Sequence, residues 1–362
     1  MAETAMRMDG GASNGDRGGG PHPLPLFLSL AARLAGDDLA RLAAILEGLK
    51  RYQQAARPQP MPAMQQADCK GGVRLMRVGG PNAGPALVVV PSLINAPVVL
   101  DLAPDRSLVR FLAGAGFRTY MIDWGVMGRP ERRLGLAGLV SARLVPLLRG
   151  LDEPVRLAGY CLGGTLAVAA GQLLGDQLDR LALIASPWHF DGYPPEARRH
   201  AVQTWQVARP VGRILGAVPV SLLNPLFWSL DEEAVVAKFE ALSRRPPDDP
   251  HIGWFAAVED WANSGAPLSC PAARDLFEHG FGTDRIGRGA WRVGGQRISA
   301  EAITAPVLDV GATRDRIVPP AARLRRSGIR RADVPAGHVG MVVGSGARAA
   351  LWEPLSNWLH GR

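Results

Sequence analysis

Three residues of this chain have the types and the placing needed for covalent acyl transfer: Cys161, Asp315 and His338. Cys161 is the centre of Gly159-Tyr160-Cys161-Leu162-Gly163. An apolar run beginning at Val155 and Leu157 precedes it, after Pro154. Leu166-Ala167-Val168-Ala169-Ala170, rich in good helix formers, follows it. A strand therefore ends, the chain turns sharply and a helix starts, which is the setting that a nucleophile elbow needs. The turn strains the residue at its apex, and glycine on either side avoids collision with the neighbouring strand and helix. The positive end of the helix beneath Cys161 favours a thiolate. The same pattern also describes an ordinary strand-turn-helix with a small buried cysteine, so the partners decide between the two.

Asp315 and His338 each follow a predicted strand, at what would be the carboxyl edge of a parallel sheet, where such sheets place their sites. Nucleophile, acid, base is the chain order of the α/β-hydrolase fold. His338 can take the proton of Cys161 and pair with the thiolate. Asp315 can hold the imidazole in its useful tautomer or act on a second, hydroxyl-bearing substrate. An oxyanion hole needs two backbone N–H groups. One is expected from Leu162, the other from Leu93 or Ile94, in the turn Pro91-Ser92-Leu93-Ile94-Asn95.

Positioning these groups takes a sheet. Val73–Val78 alternates like a half-buried strand, and Ala86–Val90 is a continuous apolar run typical of a strand covered on both faces. Further strands are predicted at Phe117–Ile122, at the elbow, at Leu181–Ala185, at Pro306–Val310 and at Ile329–Val334. Helices are predicted at Ser107–Ala115, at Leu134–Leu148, after the elbow and at Ala347–Leu359. This alternation predicts an α/β fold: a mostly parallel sheet flanked by helices. It breaks between about 187 and 304, a stretch holding six of the nine Trp, which reads as a helical cap inserted over the catalytic edge. Residues 63–362 are thus expected to be one core with its cap. Residues 1–22 are Gly-rich and polar and are expected to be disordered. Residues 23–62 read as a helical segment, interrupted near Asp37 and Asp38, and a linker. Those helices serve either as a docking element for a partner or as packing for their own domain.

The chain has 362 residues, is 47% hydrophobic and 20% charged, and carries a formal net charge of +8. Such a composition supplies a sizeable core. The positive excess is scattered Arg, read as general solubility, and no nucleic-acid partner is expected. Cys69, Cys161 and Cys270 lie far apart with no Cys-x-x-Cys, which argues against zinc and a disulfide framework and fits a reducing, cytoplasmic setting. The apolar run 24–35 is too short to span a bilayer, so no transmembrane segment is expected. No cofactor is expected either.

From about residue 70 to 360 the chain resembles the polyhydroxyalkanoate synthases. The resemblance rests on Val90-Pro91-Ser92-Leu93-Ile94-Asn95, Leu100-Asp101-Leu102, Arg106-Ser107-Leu108, Tyr120-Met121-Ile122-Asp123-Trp124-Gly125, Gly159-Tyr160-Cys161-Leu162-Gly163-Gly164, Asp315-Arg316-Ile317-Val318-Pro319-Pro320 and Gly337-His338-Val339-Gly340. It implies an α/β-hydrolase core under a mobile cap, and polymerisation of 3-hydroxyacyl-CoA into polyester with release of coenzyme A. By position it implies Cys161 as nucleophile, His338 as base and Asp315 as third member. The short length resembles the two-subunit type, which implies an accessory synthase subunit; a granule surface and a homodimer are further expected partners. Arg316 departs from the His that commonly follows the catalytic Asp in these enzymes. A Cys-dependent hydrolase, thioesterase or polyester depolymerase, is the competing reading; exclusion of water separates the two. The clusters Arg129, Arg132, Arg133 and Arg323, Arg325, Arg326 are candidates for steering the coenzyme A phosphates.

Overall fold

The computed structural model describes residues 23–125 and 128–362; the segment 1–22, expected to be disordered, lies outside them. Eight strands form one sheet: β1 (Gln65–Lys70), β2 (Val73–Gly79), β3 (Ala86–Val90), β4 (Arg118–Asp123), β5 (Val155–Tyr160), β6 (Leu178–Ile184), β7 (Val307–Ala312) and β8 (Arg330–Val334). Their spatial order is β1-β2-β4-β3-β5-β6-β7-β8. The pairs β1–β2 and β2–β4 are antiparallel, and every pair from β4 to β8 is parallel. The fold is that of the α/β hydrolases.

The central strands have no solvent face. All five residues of β3 are buried. Val88 and Val90 enter the core on one side of the sheet, Leu87 and Val89 the core on the other, the period of two expected of a strand. The outer strands differ. β1 is Gln-Gln-Ala-Asp-Cys-Lys, with four of its six residues exposed, and β8 is Arg-Arg-Ala-Asp-Val. Charged edges of this kind discourage pairing with another chain. They also remove the apolar signal, and β1 was not predicted for that reason.

Helix α1 (Leu24–Ala35) and helix α2 (Leu39–Gln54) precede the sheet. Asp38 ends the break between them by accepting the Arg41 N–H at 2.9 Å, as an N-cap. Helix α3 (Leu108–Gly114) starts at a Ser107 cap. The expected helix 134–148 runs without a gap from Leu136 to Arg149, with a wider-wound stretch at Val140–Leu144. Helix α4 (Leu162–Leu174) follows the elbow and is buried along most of its length. Among the described residues no helix is long and apolar enough to cross a membrane.

Between β6 and β7 the chain leaves the sheet. It forms α5 (Pro195–Leu215), α6 (Glu232–Ser243), α7 (His251–Asn263) and a wide helical turn at Asp275–Gly282. The two N-terminal helices pack on this cap rather than on the sheet. Phe27, Ile45 and Tyr52 form a third core with Val236, Phe239 and Ile252. The Phe27 and Phe239 rings are 4.9 Å apart. The Tyr52 hydroxyl donates to Asp260 at 2.6 Å, and Arg57 bonds the same carboxylate at 2.8 Å. Helices α2 and α6 approach so closely that a Cβ on Gly48 would lie 1.9 Å from the Phe239 carbonyl oxygen.

Replacing Gly48 by Ala should therefore force α2 away from α6, at a cost of about 1–3 kcal/mol. Limited proteolysis should then cleave the 55–62 linker sooner. Equal resistance in Gly48→Ala and parent would contradict this packing.

Candidate active site

Cys161 stands between the last residue of β5 and the first of α4, with φ 54° and ψ −132°. Few non-glycine residues adopt positive φ, and here the surroundings enforce it. A Cβ at Gly159 would lie 2.3 Å from the Gly164 Cα, and one at Gly163 would lie 2.1 Å from the Val90 carbonyl oxygen. Gly164 is equally constrained, since its Cβ would meet the Ser186 Oγ at 1.8 Å. The Cys161 N–H donates to the Ile184 carbonyl at 2.9 Å, tying the apex to β6.

The structure brings Cys161, Asp315 and His338 together. Asp315 lies in the turn after β7, and its Oδ1 accepts from the Ile317 and Val318 N–H groups at 2.8 Å each. Its Oδ2 is 2.7 Å from His338 Nδ1. With Nδ1 so engaged, Nε2 is the ring nitrogen left free, and the Cys161 side chain is among the groups that act on the imidazole. The loop carrying His338 follows β8 and is held from two sides. Arg314 N–H donates to the Ala336 carbonyl at 3.0 Å, and the buried Tyr160 hydroxyl donates to the His338 carbonyl at 3.2 Å. Burial by itself would pull the His338 imidazole down. The charges of Cys161 and Asp315, with hydrogen bonds to both, outweigh it and raise the pKa from 6.5 to about 10. The arrangement sets a basic imidazole between the Cys161 side chain and the Asp315 carboxyl group, the placement that a nucleophile and its base need.

Leu162 opens α4, where an N–H has no acceptor within the helix, and it lines the cavity above Cys161. Of the two other oxyanion candidates, the Ile94 N–H makes a long bond to Ser92 Oγ at 3.4 Å. The Leu93 N–H has no acceptor among the described residues. Their loop is pinned by side chains whose role the sequence did not disclose. Trp124 Nε1 donates to the Pro91 carbonyl at 3.0 Å. Asn95 Nδ2 donates to the Ala262 and Ser264 carbonyls at 3.2 Å each, and Trp261 Nε1 donates to Ala96 at 2.7 Å. Asp123-Trp124-Gly125 and Asn95 were visible as motifs, but only the fold places them on this loop.

The cavity measures about 660 Å³ with its mouth included. Its wall comes from the cap: Phe190, Tyr193, Leu226, Phe227, Phe277 and Phe281. The Trp residues that drew attention to the cap do not line it. Trp205 lies behind, stacked on Phe277 at 6.3 Å. Tyr193 was not singled out in the sequence, yet its hydroxyl-bearing ring is buried beside Cys161 and Asp315; burial first, and then both those charges, push its pKa up. The proposed phosphate-steering arginines do not line the cavity or the clefts described around it. Arg323 is buried, bonded to Asp309 at 3.1 Å and to Asp333 at 2.5 Å. Arg325 pairs with Asp191 at 3.0 Å, and Arg132 reaches the Leu215 carbonyl at 3.3 Å. Arg316 is exposed and lies 3.8 Å from Asp231 of the cap.

No protein-family model matches the chain. Curated proteins do. It is 28% identical over 298 residues to the poly(3-hydroxyalkanoate) polymerase subunit PhaC of Allochromatium vinosum, covering 78% of this chain and 83% of that one. It is 26% identical over 288 residues to the subunit of the same name in Haloferax mediterranei, covering 76% of this chain and 58% of that one. The corresponding protein of Haloarcula marismortui matches at 26%, with 61% of its length covered. Over about three-quarters of its length the chain is similar to the poly(3-hydroxyalkanoate) polymerase subunits. It spans about three-fifths of the Haloferax and Haloarcula polymerases. Among solved structures, the monoacylglycerol lipase of Paleococcus ferrophilus superposes with TM-score 0.49 at 18% identity, covering 80% of this chain and 98% of that one. A thermophilic esterase of Thermogutta terrifontis gives 0.46 at 17%, covering 82% and 97%.

Iodoacetamide at neutral pH should label Cys161 ahead of Cys69, which is exposed, and Cys270, whose thiol burial pushes up. His338→Gln should slow Cys161 labelling about tenfold or more; peptide mass spectrometry reads both, and an unchanged rate would refute His338 as the base for Cys161. The raised His338 pKa also stabilises the fold. That contribution is whole below pH 6.5 and is lost as the pH rises through about 10. The difference in Tm between parent and His338→Gln should therefore shrink between pH 7 and 10.

Proposed function

We propose that the chain is a polyhydroxyalkanoate synthase-like acyltransferase that polymerises 3-hydroxyacyl-CoA through a covalent thioester on Cys161. The observation that carries this reading is the Cys161–His338–Asp315 line beneath a cavity walled by apolar side chains of the cap. The Cys161 thiolate attacks the thioester carbonyl. The oxyanion is received by the N–H of Leu162 and of Leu93 or Ile94, and the free Leu93 N–H favours Leu93. The carbon–sulfur bond to the coenzyme breaks, its sulfur takes a proton from His338, and the acyl group stays activated on Cys161. The hydroxyl of a second acyl unit then attacks that thioester, giving its proton to His338 and forming the ester. A cavity that excludes water directs the acyl group to this hydroxyl rather than to hydrolysis. Cytoplasmic location, an accessory subunit, granule attachment and a homodimer belong to the same reading.

Asp315 is assigned as a positioning residue. Both its oxygens are engaged, Oδ1 by two backbone N–H groups and Oδ2 by His338, so it has little left to offer an incoming hydroxyl. With 3-hydroxybutyryl-CoA, coenzyme A release and insoluble polymer should appear together, and Cys161→Ala should abolish both. Asp315→Asn should slow single-turnover acylation and elongation alike, by about a hundredfold or more. Retained acylation with lost elongation would instead assign Asp315 to the hydroxyl. Free 3-hydroxy acid as the sole product would replace the synthase by a hydrolase.

A further inference from the structure

The cavity over Cys161 suits an acyl group and excludes the rest of an acyl-CoA. Among the described residues Cys161 and Tyr193 contribute its only polar side-chain atoms, and phosphates left unpaired in such a place would pay a heavy desolvation cost. The charged part of the carrier must therefore remain outside, and two surface clefts adjoin the cavity. One shares Tyr193 and Leu226 with it and is lined by Glu196, His200, Asp315 and Arg316. Glu196 and Asp315 are acidic, and Arg316 leans toward Asp231 at 3.8 Å. The other shares Phe281 with the cavity and is lined by Arg198, Arg199 and Gln203, with no carboxylate.

This second cleft is built to present positive charge. Arg198 Nε and Nη2 donate to the Phe281 and Gly282 carbonyls at 2.9 and 3.1 Å. Its guanidinium is thus held in place by neutral groups, and its charge is left uncancelled. Arg199 is exposed and has no carboxylate partner among the described residues. Arginine is the side chain best shaped to bind phosphate. Phe281 closes the inner end, its ring 5.1 Å from Phe190 and 4.9 Å from Tyr193.

We infer that the cleft of Arg198, Arg199 and Gln203 is the binding site for the phosphate-bearing part of the thioester carrier, with the acyl arm passing Phe281 to Cys161. The inference rests on the synthase reading for its ligand, but its test needs no turnover. Calorimetric titration with coenzyme A and with pantetheine, which lacks the phosphates, measures the preference for the charged ligand. Arg199→Glu should reduce that preference about fivefold, the size of a favourable exposed ion pair, and 0.5 M salt should reduce it in the parent. Equal preference in Arg199→Glu and parent would overturn the inference. So would a loss caused by Arg316→Glu, across the cavity, instead. Failure of the parent to release coenzyme A from 3-hydroxybutyryl-CoA is a separate result, and it would count against the synthase reading alone.

Discussion

The site depends on how closely the elbow is packed. Cys161 is held at a φ of 54° because β5, α4 and the end of β3 meet with no side chain between them. Gly159, Gly163 and Gly164 each stand where a Cβ would come within 2.3 Å of another group. That contact fixes several things together. It exposes the sulfur above the sheet, points the first N–H groups of α4 at the same space, and brings the Pro91–Asn95 loop alongside. The strain at one residue is borne by a helix and strands buried on both sides, where relaxation would open the core.

Charge is then arranged around that fixed point. Two backbone N–H groups orient Asp315, Asp315 orients His338, and Tyr160 holds the backbone of the same histidine. Each member is buried, so the interactions act at low local dielectric, and an unpaired member would be costly. The raised His338 pKa follows from the negative charges on either side outweighing burial. That raised pKa is therefore a property of the assembly and of no single residue.

The cap contributes the wall and the surroundings of the mouth. Its phenylalanines close over Cys161, while α1 and α2 brace its outer side through Phe27, Ile45 and Tyr52. The Pro91–Asn95 loop is tied to both bodies, to Trp124 below and, through Asn95 and Ala96, to Ala262 and Trp261 of the cap. A displacement of the cap would thus be felt at the loop as well as at the cavity.

By itself the sequence determined the parts that are local. The apolar run of β3, the Gly-x-Cys-x-Gly turn before α4 and the order of Cys161, Asp315 and His338 follow from short-range periodicity and turn chemistry. They sufficed to place these three residues at one edge of a parallel sheet. Only the tertiary structure decided the rest. Polar β1 was invisible because an edge strand buries little. Tryptophan marked the cap, yet phenylalanine and Tyr193 line the cavity, since which face of a cap helix meets Cys161 depends on docking. The same holds for charge. Arg323 read as a surface cation and lies buried against Asp309, whereas Arg198 and Arg199 drew no notice and line a cleft that shares Phe281 with the cavity. Sequence spacing reports which residues share a turn, but contacts across more than a hundred residues are set by how helices and sheet pack.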